Sequence, residues 1–300
     1  MSIFENYQEI IPDFSSFQES LLTPIPSHIR INRLKASTAA VIHGLNEKGV
    51  DLKRSLEDDD TLYLAPELSS PGNLLEYYLG YIHPQALTSC LTSVVLSPRG
   101  SSYVLDMCAS PGGKTSHLAD LMNNTGLIVA NELYSNRHVP LGTTLARLGV
   151  LNAAITGYQA QEFPLKQRFD YVLADVPCSG EGRFRKLKER SVYRKTYKKN
   201  KLPDLQKKII VRGFDLLRKN GEMLYATCTY SPEENESVVN FLLQNRDAHL
   251  LIIDADLDHE PGLPGWRREV YDKQVQKTAR FYPHRVNSVG FFMARIGREK

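Results

Sequence analysis

Cysteines stand in two turns of small residues. Cys178 lies in Asp175-Val176-Pro177-Cys178-Ser179-Gly180, and Cys228 in Ala226-Thr227-Cys228-Thr229-Tyr230-Ser231-Pro232. Each turn follows an apolar run that reads as a buried strand, Phe169 to Ala174 before the first and Met223 to Ala226 before the second. A thiol at the end of a core strand is within reach of a ligand. Its chemistry there is nucleophilic: a thiolate adds to an electron-poor ring such as a pyrimidine and splits one hard step into easier ones. A free thiol with a pKa of ~8.5 gives only a few per cent thiolate at neutral pH, so a basic or helix-terminal setting is expected around the attacker. Asp175 is placed to hydrogen-bond a ring nitrogen and stabilise a protonated adduct. Inert core thiols and a redox disulfide are the competing readings of the pair.

A third turn, Asp106-Met107-Cys108-Ala109-Ser110-Pro111-Gly112-Gly113-Lys114-Thr115, separates a short strand from a helix. Its small residues let the backbone approach a ligand closely, and the helix start suits an anionic group. Gly113-Lys114-Thr115 is similar to the phosphate loop of NTPases, but that loop needs a glycine where Cys108 stands, which disfavours an NTPase. The following strand ends in Asn131-Glu132. An acid in that place suits the two hydroxyls of a ribose. Arg137 either pairs with a nearby carboxylate or occupies the helix surface.

These turns need a frame, and from Ser101 onward strands and helices alternate. Tyr103 to Asp106, Gly126 to Ala130, Ala153 to Thr156, Phe169 to Ala174, Gly221 to Ala226 and Leu250 to Ile253 read as strands, with Gly290 to Ile296 as the last. Helices are expected through Leu118 and Leu121, over Val139 to Leu148, Asp204 to Arg218 and Glu233 to Asn245. Such alternation predicts an α/β fold, a mostly parallel sheet with helices on both faces and ligands at the carboxyl ends of its strands. The chemically interesting residues all fall at strand ends.

The chain divides into residues 1–98, a small α+β unit with a connecting helix, and residues 99–300. In the first part, His28 to Leu34 alternates as a strand, and Ser37 caps a helix through Leu45. Leu62 to Leu64 is a short strand, and Glu76 to Ile82 is aromatic and strand-like. Pro84 opens a helix through Val94 whose apolar face holds Cys90.

Net charge is only +3, but basic residues crowd Arg183 to Lys201. That run is a candidate phosphate surface, with Arg185, Lys186 and Lys188 as the first contacts to test, or a solvated helix face. The four cysteines form no Cys-x-x-Cys pair, so neither a zinc ribbon nor any other metal site is expected. No signal peptide or membrane-length apolar stretch is evident, which fits a cytoplasmic protein with free thiols.

Asp-x-Pro-Cys after one strand, Thr-Cys-Thr-Tyr-Ser-Pro-x-Glu-x-Glu after the next and Pro-Gly-Gly-Lys-Thr ahead of both form a specific set. From about Ile29 to Arg295 the chain resembles the RNA 5-methylcytosine methyltransferases of the RsmB/Sun/Fmu type. Arg30-Ile31-Asn32-Arg33-Leu34-Lys35 is similar to the family's N-terminal signature, and Pro283-His284 and Gly290-Phe291-Phe292 to its C-terminal one. Asn131-Glu132 and Ser179-Gly180-Glu181-Gly182 resemble the RsmF rRNA branch, without its C-terminal extension.

The resemblance implies a Rossmann-like class I methyltransferase sheet, with its last strand antiparallel, and a small N-terminal RNA-binding unit. It implies that S-adenosylmethionine is held by Cys108, Ala109, Ser110, Pro111, Gly112, Gly113, Lys114, Glu132 and Asp175, to which Arg137 and Gln159 are added as candidates. It implies Cys228 as nucleophile at carbon 6 of cytosine and Cys178 as the group that helps release product. Pro-Cys marks the nucleophile of DNA cytosine methyltransferases, which would exchange these roles; the Thr-Cys-Thr-Tyr-Ser-Pro string favours Cys228. One departure stands out: the family carries Asp after its third strand, where this chain has Tyr158-Gln159-Ala160. Gln159 can hydrogen-bond an adenine edge but supplies no carboxylate. The expected partner is RNA, rRNA first and tRNA second, bound by a monomer in a cleft formed by the basic run, the N-terminal unit and the loop of Trp266. A non-catalytic RNA-binding assembly factor is the alternative of a different class.

Overall fold

The computed structural model describes residues 4–187, 190–191 and 201–299. Its centre is a nine-stranded sheet built on β5 (Tyr103–Asp106), β6 (Leu127–Asn131), β7 (Ala153–Thr156), β8 (Phe169–Asp175) and β11 (Leu217–Thr227), all parallel, in the order β11-β8-β5-β6-β7. The chain runs outward from β5 to β7 and then returns to lay β8 against the other side of β5. That reversal puts the carboxyl ends of β5 and β8 side by side, where open α/β sheets bind ligands.

The middle strands are buried on both faces, so their apolar runs do not alternate with polar residues. They still have two sides. Val172, Ala174, Met223 and Tyr225 pack with α7 (Leu202–Asp215) and α8 (Glu236–Asn245). Leu173, Leu224 and Ala226 pack with α4 (Leu87–Leu96) and α5 (Gly113–Leu121). α6 (His138–Arg147) covers β6 through Leu141 and Leu145.

The expected final antiparallel strand is β17 (Phe291–Arg298), paired to β11 from Glu222↔Gly297 to Thr227↔Phe292. Its other edge is shared by β12 (Ala248–Leu251) and β16 (Ala279–Phe281), both antiparallel to it, and β13 (Glu260–Pro261) adds to β16. The stretch around Pro261, Pro264 and Trp266, expected as loop, therefore contributes strands, including a hairpin of β14 (Gly265–Trp266) and β15 (Glu269–Val270). A short hairpin, β9 (Lys186–Leu187) with β10 (Arg190–Ser191), follows β8, and α9 (Pro283–Val286) precedes β17.

Near the N-terminus, β1 (His28–Ile31), β2 (Lys53–Arg54), β3 (Leu62–Leu64) and β4 (Ile82–Pro84) form an antiparallel sheet in the order β2-β3-β1-β4. α2 (Thr38–Glu47) covers it through Val41 and Leu45, and the Ser37 hydroxyl caps that helix by accepting from the Ala40 amide. Two expectations fail here. Of Glu76 to Ile82 only Ile82 is in a strand, as the start of β4: Leu75–Tyr78 is a short helix, α3, and the chain turns at Gly80 with φ +78°. The cause is tertiary. A side chain at Gly80 would meet the Arg147 carbonyl, and Tyr77 instead stacks under the Arg147 guanidinium at 4.0 Å. Pro84 does not open the following helix, which begins at Leu87; it closes edge strand β4, where its missing N–H costs nothing.

The buried Arg30 guanidinium donates to Ser116 Oγ at 2.8 Å and lies 3.6 Å from Asp120, so β1 is fastened to α5. Asn32 Nδ2 reaches both the Gly80 and Leu148 carbonyls at 2.8 Å. The segment before β1, with α1 (Phe14–Ser20), packs elsewhere: Tyr7, Ile11, Phe17 and Leu21 cluster with Phe184, Tyr230 and Tyr282.

Candidate active site

β8 and β11 are hydrogen-bonded neighbours, so the turns that leave them emerge side by side. The sulfurs of Cys178 and Cys228 lie 3.3 Å apart as free thiols. The Cys228 amide donates to Cys178 Sγ, and the Gly182 amide donates to the Cys228 carbonyl at 2.9 Å. The acidic residues after Cys228 hold this arrangement. Glu234 accepts from the Ser179 amide and from Gln206 Nε2, both at 2.9 Å. Asn235 bonds the Thr227 hydroxyl and the Thr229 carbonyl. Glu236 forms a buried ion pair with Arg280. These contacts consume Glu234 and Asn235 before α8 starts, which is why the helix begins at Glu236 rather than Glu233.

The thiols are not equivalent. Their mutual hydrogen bond lowers Cys228 below the ordinary thiol range, and Arg183 and Lys114 add to that against burial and Asp175. The same contact, followed by burial, pushes Cys178 up. A lowered thiol gives Cys228 the larger thiolate fraction of the two. Cys90 is a core residue, pushed up to about 12 by burial.

Asp175 ends β8 and accepts from Lys114 Nζ at 2.7 Å. Burial opposes the Lys114 charge, but Asp175 and then Asp106 outweigh it and hold Lys114 above its ordinary value. Cys108 to Pro111, Gly113, Lys114 and Asp175 line a cleft of about 160 Å³ together with the buried Asp106; Gly112 is not in the lining and faces Leu141 and Thr144 of α6 instead. Its opposite wall comes from His83, Pro84, Gln85 and Ser89, which the sequence reading did not assign to the site. Glu132 is buried at the end of β6, accepts from the Tyr134 amide and pairs with Arg137 at 3.0 Å. Arg137 also donates to the Ser110 carbonyl at 2.8 Å, joining the acid to the turn. Gln159 is exposed and donates to Glu162 Oε2 at 3.1 Å, so a carboxylate does stand beside the position where the family carries Asp.

A wider hollow of about 520 Å³ between α7 and α8, lined by Lys207, Lys208, Phe241 and Arg246, shares no residue with this cleft and none with the thiol turns. Among the described residues, no group of three or more His, Cys, Asp or Glu could hold a metal, and no helix is long and apolar enough to cross a membrane.

Arg185 is not a surface phosphate contact. It is 3 % exposed, and its guanidinium donates to the carbonyls of Phe184 and Ser288. A cation committed to two carbonyls in the interior has no free face for a phosphate. Lys186 begins β9, while Lys188 and the basic residues from Arg194 to Lys199 lie outside the described residues. Arg183 is exposed and electrostatically felt by Cys228.

The cleft fits a nucleoside with a charged tail. It offers a helix start at Gly113 and an acceptor, Gln85 Oε1, that is buried without a hydrogen-bond partner among the described residues; Glu132, Arg137 and Gln159 lie outside its lining, with Arg137 joining Glu132 to the turn at Ser110. Fold and site together define a class I methyltransferase with paired cysteines.

Residues 93–297 match the family described as 16S rRNA methyltransferase RsmB/F. The tRNA (cytosine(49)-C(5))-methyltransferase of Pyrococcus abyssi is 34% identical over 99% of this chain and 96% of its own length. The human 28S rRNA (cytosine(4447)-C(5))-methyltransferase and the Vibrio atlanticus ribosomal RNA small subunit methyltransferase F are each 34% identical over 95% of the chain, which spans 36% and 60% of their lengths. A methyltransferase homolog from Pyrococcus horikoshii superposes with a TM-score of 0.83 at 32% identity, covering 94% of this chain and 90% of that one. The chain belongs to the RsmB/F family and is an S-adenosylmethionine-dependent RNA cytosine-C5 methyltransferase.

Proposed function

We propose that Cys228 is the nucleophile, Cys178 the release group and Asp175 the base-binding acid of this reaction. The observation that carries the reading is the 3.3 Å contact between the Cys178 and Cys228 sulfurs, in the turns that leave neighbouring strands β8 and β11. S-adenosylmethionine supplies the methyl group as a sulfonium electrophile. The Cys108–Gly113 turn, Lys114, Glu132 and Arg137 hold it, with Gln159 and its neighbour Glu162 at the rim. Cys228 thiolate adds to carbon 6 of a cytosine that has left its stack, which makes carbon 5 nucleophilic. Asp175 hydrogen-bonds ring nitrogen 3 and stabilises the adduct. Once carbon 5 is methylated, its proton leaves to a water that the Cys178 thiol orients, the carbon 5–carbon 6 double bond re-forms, and the Cys228–carbon 6 bond breaks with its electron pair returning to Cys228 as thiolate. Arg183 takes a backbone phosphate in the role expected of Arg185.

The sequence favours rRNA through its likeness to the RsmF branch. A tRNA substrate is the second reading, supported by similarity over 96% of the length of the archaeal tRNA relative. The working form is a monomer in the cytoplasm with residues 1–98 as its RNA-binding part. Purified protein given methyl-tritiated S-adenosylmethionine and either deproteinised rRNA or tRNA, followed by bisulfite mapping, separates the two substrates. Label at a cytosine of one RNA assigns it; transfer to neither overturns both readings.

A further inference from the structure

Behind the thiols lies a buried carboxylate that the reaction does not touch. Glu181, 1 % exposed, receives the Thr229 hydroxyl on Oε2 at 3.0 Å and the Tyr7 hydroxyl on Oε1 at 3.4 Å. The Thr229 oxygen lies 2.6 Å from the Ser179 hydroxyl. With the Thr229 proton committed to the carboxylate, Ser179 donates to Thr229. The result is a directed chain, Ser179 to Thr229 to Glu181. Thr229 follows Cys228 and Ser179 follows Cys178, so the chain joins the two thiol turns one residue beyond the sulfurs. Aromatic rings back it: Phe4 and Phe17 meet Tyr230 edge-on at 5.4 and 5.2 Å, and Phe4 meets Phe184 at 5.7 Å.

We propose that Glu181 is a positioning residue that sets the separation of Cys178 and Cys228 through the Ser179–Thr229 bridge, and that the N-terminal segment from Phe4 to Leu21 braces it through Tyr7. A hydrogen bond between sulfurs is sensitive to separation, so loosening the bridge weakens the contact that acidifies Cys228. The charged groups facing Cys228 are Asp175, Arg183 and Lys114. The inference rests on Cys228 as nucleophile, but its consequence for thiol reactivity does not.

Thr229→Val keeps the side-chain shape and removes the relay hydroxyl. The expected result is a ten- to hundredfold lower kcat, the scale of a displacement of about 1 Å at a reacting centre, with the KM for S-adenosylmethionine unchanged. Iodoacetamide alkylation of Cys228, read by peptide mass, should slow several-fold at pH 7 and its pH profile should move upward. Thr229→Ser should restore both. A folded Thr229→Val protein with the wild-type alkylation profile overturns the proposal, whatever its activity. If Thr229→Val does not fold, Tyr7→Phe is measured the same way; a profile moved upward supports the brace and an unmoved one overturns it. If Cys228→Ala retains methylation while Thr229→Val shifts the profile, the nucleophile assignment fails and the positioning role stands.

Discussion

The Lys114 ammonium lies 2.7 Å from the Asp175 carboxylate, linking the turn after β5 to the end of β8. Lys114 also sits 5.8 Å from the centre of the Phe291 ring on β17. One ion pair therefore spans the switch point of the sheet, with the cofactor turn on one side and the thiol turns on the other. Lys114 serves both sides: it neutralises Asp175, and its charge favours the Cys228 thiolate.

Lys114→Met should accordingly weaken more than cofactor binding. The Cys228 thiolate loses a nearby cation, and the half-buried Asp175 loses its charged partner. Methylation should fall about 10²- to 10³-fold, and stability by about 1.5–3 kcal/mol, the range for a hydrogen bond to a charged group. Single-turnover methylation at saturating S-adenosylmethionine, together with urea unfolding, checks both. A change in KM alone would confine Lys114 to the cofactor.

The two cysteines should give opposite phenotypes. Cys228→Ala should abolish methylation and leave S-adenosylmethionine binding intact. Cys178→Ala should trap a covalent protein–RNA adduct, seen as a slow band on a denaturing gel. Because Cys228 lies below the ordinary thiol range, its activity should persist at a pH where an ordinary thiol is protonated. It should then fall about tenfold per pH unit on the acid side of the Cys228 pKa, since only the thiolate adds. In Cys178→Ala the hydrogen bond that lowers Cys228 is gone, so the alkylation profile of Cys228 should move to higher pH. An unmoved profile would show that Cys178 does not acidify its neighbour.

Asp106, a buried residue lining the cleft, gives a stability prediction with a definite sign. Burial raises its carboxyl from the ordinary 3.8 to about 6, against a hydrogen bond from Thr115. The folded state thus binds the proton more tightly than the unfolded state. Stability from this group is greatest below about pH 4, declines as pH rises toward 6 and is flat above, a loss of about 3 kcal/mol. Asp106→Asn removes that loss, and its amide can donate to the Thr115 oxygen in place of the present bond. Urea unfolding without cofactor should find the variant more stable than wild type at pH 8 and no better at pH 4. An equal difference at both pH values would assign the effect to packing.

The thiols, the glycine turn and Glu132 were legible in the sequence because each closes a short apolar run, and strand ends are local signals. The sheet class followed from the same runs. What escaped is long-range. Arg185 belongs to a run of cations, and composition does not reveal that this one is turned inward onto the Phe184 and Ser288 carbonyls. The wall of His83 and Gln85 reaches the Lys114 turn only because β1 and β4 are fastened to α5 through Arg30. Nothing in Phe4 to Leu21 announces that it packs on Tyr230, more than two hundred residues on. The Glu-x-Glu after Cys228 was visible as a string, but its role in pinning the Ser179 amide and Arg280 needed the fold.

Gly182 offers a steric test of how closely the thiol turns must be held. Its φ is not in the left-handed region, so alanine carries no conformational penalty there. An added Cβ would nevertheless lie 2.0 Å from the Gly290 carbonyl oxygen and 2.7 Å from its carbon. Both are backbone atoms and cannot swing away, and the Gly290 amide is bonded to the Gly182 carbonyl at 3.0 Å. The clash must therefore move the turn that carries Cys178 away from the entry to β17. Overpacking of this kind costs about 1–3 kcal/mol. Gly180, two residues earlier, reverses the situation: its φ is +74° and its Cβ would meet open space. Alanine there costs about 1–2 kcal/mol of backbone strain without pushing on a neighbour. The two variants should lose similar stability, but Gly182→Ala should lose far more methylation, because it alone displaces the amide that holds the Cys228 carbonyl. Melting curves and methylation rates on the pair decide the matter; equal losses of activity would mean that catalysis tolerates a shift of the Cys178 turn.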